Sequence, residues 1–153
     1  NGSGSQCNKV IAICRLMTEF RNKIQDGIPV IVSMSLSGNT HSASNRAIRD
    51  LYENGILSVV SAGNDGVSSL TLSPAGEPKA ITVMVSDKND RPVSRSTWSS
   101  NYDGDIYAPG LSIYSANKDS SSSYKFSSGT SIACPHVSGI HATLYQHNKL
   151  HQF

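Results

Sequence analysis

An α/β fold built on a parallel sheet is the class this sequence predicts, and three observations carry it. Two β-branched apolar runs, Val30-Ile31-Val32-Ser33-Met34-Ser35-Leu36 and Ile56-Leu57-Ser58-Val59-Val60-Ser61-Ala62, read as strands buried on both faces. Between them, residues 42–54 place Ala43, Ala47, Ile48 and Leu51 at helical spacing, with Asn54-Gly55 as the stop. Strand, helix, strand in that order calls for a right-handed parallel crossover. A length of 153 residues suits one domain of this kind.

The remaining elements follow in chain order. Residues 6–25 repeat Val10, Ile13, Cys14, Met17, Phe20 and Ile24 at helical spacing, and Asp26-Gly27 ends that helix. Ser37-Gly38-Asn39 turns the chain after the first strand. Ala80–Ser86 makes a third strand, and 105–108 and 113–115 read as short ones. The four serines 120–123 form an exposed tip. A last helix covers 131–146, with Val137, Ile140, His141, Leu144 and Tyr145 in its repeat. Pro135 has no N–H to give that helix, which places it in the first turn. No internal repeat is visible.

Composition narrows the function classes. A formal charge of +2 and a 16% charged content give no electrostatic reason to expect nucleic acid or anionic lipid. No apolar run is long enough to span a bilayer, and no signal peptide is visible. The three cysteines are an odd number. Cys7 and Cys14 lie about 10 Å apart along one helix, too far to bridge each other. Cys134 reads as a small buried hydrophobe.

The stretch Gly129-Thr130-Ser131-Ile132-Ala133-Cys134-Pro135-His136-Val137-Ser138-Gly139 carries the chemistry. It presents Ser131 at a helix N-terminus, where free N–H groups and the helix dipole favour developing negative charge. Taken alone, a serine there is also an ordinary N-cap or an anion site. A second run, Ser61-Ala62-Gly63-Asn64-Asp65-Gly66, lies at the C-terminal end of the second strand, the edge where open α/β sheets build their sites. Asn-Asp-Gly is by itself a favoured turn, but an asparagine amide can also donate to the oxyanion of acyl transfer.

The serine stretch fills every fixed position of the pattern Gly-Thr-Ser-x-Ala-x-Pro-His-Val-x-Gly. It resembles the nucleophile motif of the subtilisin-like serine proteases, the subtilases, and with it nearly the whole chain falls into the family's order. Ser73-Pro74-Ala75-Gly76-Glu77-Pro78 and Asp105-Ile106-Tyr107-Ala108-Pro109-Gly110 resemble the proteinase K branch most closely. The resemblance implies a three-layer subtilisin-like fold, with residues 1–153 as the C-terminal half of a peptidase domain. It implies a serine endopeptidase in which Ser131 attacks and Asn64 lines the oxyanion hole with the Ser131 N–H.

Gly2, Ser3 and Gly4, with Ser35, Leu36 and Ser37 facing them, are implied to hold a polypeptide substrate as an added strand, and Ser61, Ala62 and Gly63 to line its pocket. Ser37 departs from the pattern, which has a second glycine there. A calcium ion is implied at the carbonyls of Pro78 and Ala80 and the Asp105 carboxylate; a solvated loop charge is the plainer reading of Asp105. Family membership also implies secretion, and Asn1-Gly2-Ser3 is a glycosylation sequon.

A serine hydroxyl needs a general base, and the base an orienting carboxylate. The family supplies them upstream in the order Asp, His, Ser, on motifs this sequence does not contain. The Asp-Gly pairs at Asp26, Asp65 and Asp103 sit where helix ends and turns require them. His41, His136, His141, His147 and His151 do not stand in the family's His-Gly-Thr-His setting. The expectation is that an upstream half of the same domain supplies both groups, beside the strand at 30–36, and that this segment alone is inactive. The alternative is a non-catalytic relative that binds or scaffolds.

Overall fold

The computed structural model describes residues 4–93 and 104–150. The predicted positions Gly2, Ser3, Asp103 and His151 lie outside them. Chain order is helix α1 (Gln6–Gln25), strand β1 (Val30–Met34), helix α2 (Ser42–Glu53), strand β2 (Ile56–Ser61), a short 3₁₀ turn (Ser69–Thr71) and strand β3 (Ala80–Ser86). Strands β4 (Ile106–Pro109), β5 (Ile113–Ala116) and β6 (Tyr124–Ser127) follow, then helix α3 (Thr130–Leu150). The strands β1-β2-β3-β4 form one parallel sheet in that order, and β5 and β6 a separate antiparallel pair.

The sheet separates two cores. Because side chains alternate along a strand, Val60 faces one side and Val59 the other. On the first side Val60 joins Ile13 of α1, Ile48 and Leu51 of α2, Ile56 and Leu72. On the second, Val59 joins Val83, Val85, Ala108 and the α3 residues Ala133, Cys134 and Val137. The result is three layers, helices over both faces of a parallel sheet, which explains why β2 and β3 are almost unbroken apolar runs.

Helix ends fall where local chemistry puts them. Ser5 caps α1 by accepting from the Asn8 N–H. Gly27, at φ +69°, lets the Ile28 N–H reach back to the Lys23 carbonyl at 2.8 Å and close the helix. His41 caps α2 through its ring nitrogen Nδ1, which takes the Ser44 N–H at 3.2 Å.

Several expectations need correction. In α2, Ser44 rather than Ala43 joins Ala47, Ile48 and Leu51 on the buried face. In α1 only Ile13 is fully buried, and Cys14 is exposed on the outer side. The strand predicted at 30–36 ends at Met34, with Ser33 exposed. Ile140 and Leu144 of α3 are 58% and 54% exposed, so its helical repeat does not mark a buried face beyond Val137. Pro135 sits inside α3 rather than in its first turn. Cys134 is fully buried, as its apolar setting requires, with its thiol on the Val59 carbonyl at 3.4 Å.

Candidate active site

The site lies where the C-terminal end of β2 meets the start of α3. Gly63 follows β2 at φ +103°, a conformation suited to glycine, and a Cβ there would lie 2.5 Å from Leu72 Cδ1. That turn lifts Asn64 to the surface beside Gly129-Thr130. The Thr130 N–H donates to Asn64 Oδ1 at 3.0 Å, and the Thr130 hydroxyl lies 2.9 Å from the same oxygen. The Gly63 N–H in turn donates to Thr130 Oγ1 at 3.2 Å. Thr130 is fully buried, so its bond from the Gly63 N–H is shielded from competing water, while Asn64 stays exposed.

The consequence for Asn64 is directional. With Oδ1 committed to Thr130, the Nδ2 hydrogens of the amide face away from that residue. Ser131 follows directly, half-buried at the first turn of α3. The sequence marked Asn64 and Ser131; it gave no hint that Thr130 is the side chain joining them.

A second link explains why proline is tolerated within α3. An amide at position 135 would bond the Ser131 carbonyl, but Pro135 has no N–H. The Ser35 hydroxyl takes that place, donating to the Ser131 carbonyl at 2.8 Å. The Ser61 hydroxyl donates to the Leu36 carbonyl at 3.3 Å, so residues 35–36, the end of β2 and the start of α3 are mutually tied. Among the predicted substrate residues, Ser61, Ala62 and Gly63 are buried, Leu36 and Ser37 half-buried, and Ser35 and Gly4 exposed.

The histidines are engaged elsewhere. His41 caps α2, while Nδ1 of His136 pairs with the Ile132 carbonyl at 2.9 Å and Nδ1 of His141 with the Val137 carbonyl at 3.0 Å. His147 is about 24 Å along α3 from Ser131 at the helical rise.

Pro78, Ala80 and Asp105 border one open depression. Asp105 Oδ2 accepts the Thr82 N–H at 2.7 Å, and the Asp105 N–H donates to the Thr82 carbonyl at 2.9 Å. One carboxylate oxygen is thus committed to the backbone. Main-chain carbonyls plus a carboxylate are the hard-oxygen set that suits calcium. Among the described residues no three His, Cys, Asp or Glu side chains gather as a metal cluster.

The model describing the subtilase family of peptidases matches residues 5–151. The chain belongs to the subtilase family. This subtilase is 42% identical over 114 residues to "Subtilisin-like protease 1" of Pseudogymnoascus destructans, covering 74% of this chain and 28% of that protein. It is 44% identical over 109 residues to "Alkaline protease 1" of Emericella nidulans, covering 71% and 27%. Among solved structures, "Sphericase" superposes with a TM-score of 0.78 at 30% identity, over 97% of this chain and 52% of that one. A "cold adapted subtilisin-like serine proteinase" gives 0.70 at 37% identity, over 78% and 42%. The fold is therefore subtilisin-like, and this subtilase spans under a third of these curated relatives and about half of these solved chains.

Proposed function

We propose that this subtilase is a serine endopeptidase segment that contributes the nucleophile and the oxyanion hole. Ser131 Oγ attacks the scissile carbonyl carbon while a histidine takes its proton, forming a tetrahedral intermediate with negative charge on the former carbonyl oxygen. The Asn64 amide and the Ser131 N–H donate to that oxygen. On collapse, the leaving amine takes the proton from the histidine and Ser131 is left acylated, to be freed by water. The observation that carries this reading is the Thr130 N–H to Asn64 Oδ1 bond at 3.0 Å, which couples the amide to the residue preceding the serine.

The base and its carboxylate come, in this reading, from an upstream half of the same domain packed along β1. That strand pairs only with β2 among the described residues. Its other side opens on a groove of about 500 Å³ walled by Leu16, Phe20, Ile28 and residues 30–33. Unpaired N–H and C=O groups beside an apolar groove are what an added strand satisfies. Residues 2–4 and 35–37 hold an extended polypeptide substrate between them. Pro78, Ala80 and Asp105 hold a calcium ion, which would tie the start of β3 to residue 105, and the working protein is extracellular.

Reaction of the complete protein with a fluorophosphonate probe, followed by peptide mapping, tests the reading. Label on Ser131, abolished by Ser131→Ala, supports it. A complete protein that neither labels nor hydrolyses casein is a binding or scaffold relative instead.

A further inference from the structure

We infer that Lys9 is a specificity-determining residue that favours substrates with a carboxylate side chain a few residues from the scissile bond. The inference rests on the endopeptidase reading above and adds a preference to it. Lys9 lies in the second turn of α1, the helix that begins directly after residues 2–4. Its Nζ donates to the Ser37 carbonyl at 2.9 Å. Gln6, one turn earlier, donates through Nε2 to the Asn39 carbonyl at 3.1 Å. Gly38 lets the two approach: a Cβ there would stand 2.7 Å from Gln6 Nε2 and 3.1 Å from Lys9 Nζ. Lys9 therefore ties the start of α1 to residue 37, one of the positions proposed to hold the substrate.

Its charge is uncompensated. Among the described residues the ion pairs are Arg46–Asp50, Arg49–Glu77 and Lys118–Asp119, and no carboxylate lies within ion-pair distance of Lys9. An ammonium has three hydrogens, and the Ser37 carbonyl uses one. A half-buried cation with donors to spare, pinned to the cleft wall, attracts an anionic side chain and repels a cationic one. Position follows from the reach of the chain. The Ser35 hydroxyl donates to the Ser131 carbonyl, and Ser37 is two residues further on, at most about 7 Å for an extended chain. The favoured acidic residue therefore lies about two to four positions from the bond that is cut.

The test uses the complete protease and fluorogenic peptides sharing one scissile bond, with a single Glu, Gln or Lys moved through the flanking positions. Fluorophosphonate titration of Ser131 normalises each preparation to its active fraction. The wild type is expected to show kcat/KM about three- to fivefold higher for Glu than for Gln at one such position, and lower for Lys. Added salt reduces the preference, Lys9→Arg keeps it, Lys9→Met removes it and Lys9→Glu reverses it. An active wild type indifferent to charge, or a Lys9→Glu enzyme that still prefers Glu, overturns the inference and leaves the endopeptidase reading intact. A complete protein that titrates no serine and cleaves no peptide overturns both.

Discussion

At the residue scale the arrangement depends on Thr130. Its backbone N–H and hydroxyl converge on one oxygen of Asn64, and its hydroxyl also receives the Gly63 N–H. Thr130→Val keeps the shape and strands the buried Gly63 N–H, so unfolding of the complete protein should show a loss of about 1–3 kcal/mol. The same substitution loosens Asn64, and the drop in turnover should exceed any change in KM. Gly63→Ala forces a Cβ against Leu72 at a backbone angle that L-residues avoid, and should yield little folded protein on expression. Asn64 and Ser131 were legible in the sequence because each stands in a local run with a chemical rationale. The Thr130 bond to Asn64 and the Ser35 bond to the Ser131 carbonyl were not, although Ser35 itself was marked as a substrate residue, because the partners are separated by 66 and 96 residues and only tertiary closure pairs them.

Elements were legible to the degree that burial writes itself into spacing. The bounds of α1 and β3 coincide with the expectation, and the apolar runs of β1 and β2 mark a sheet covered on both faces. β6 was not foreseen. Its Tyr124 and Phe126 face outward at 58% and 69% exposure, so the strand has no buried alternation to read. Pro135 was misplaced because the local rule against helical proline does not know that Ser35 takes over the orphaned carbonyl.

Leu51, fully buried between α2 and the sheet, gives the energetic scale of this packing: Leu51→Ala should lower stability by about 2–5 kcal/mol in chemical denaturation of the complete protein. In the turn after β3, N–H groups of Arg91 and Asn89 donate to Asp87 and hold its carboxyl below the ordinary aspartate range. The sign is therefore that Asp87 stabilises the turn above the unfolded-state value and stops doing so as pH falls through the lower folded value. Amide exchange in residues 87–91 should quicken there, and Asp87→Ala should abolish that dependence.

Among the described residues, two cores lie on one parallel sheet whose first strand is unpaired on its outer side. Glu77, 3% exposed, is held at the surface end by Arg49 at 2.8 Å, and the carboxylate raises the arginine further above its already high ordinary value. Arg49→Met would leave that carboxylate buried without its cation, and the melting temperature of the complete protein should fall. The open β1 edge predicts that residues 1–153 expressed alone aggregate, and that joining them to an upstream half restores a monomer by light scattering.

The central claim is that the Asn64 amide serves the transition state and not the resting substrate. Steady-state kinetics of Asn64→Ala in the complete protein tests it most directly. Removing this donor in subtilisin, itself a subtilase, lowers kcat by about 10²–10³, and that borrowed magnitude sets the scale here. The account predicts a fall in kcat of that order with KM nearly unchanged and Ser131 still present and folded. A kcat within about twofold of the wild type would contradict it.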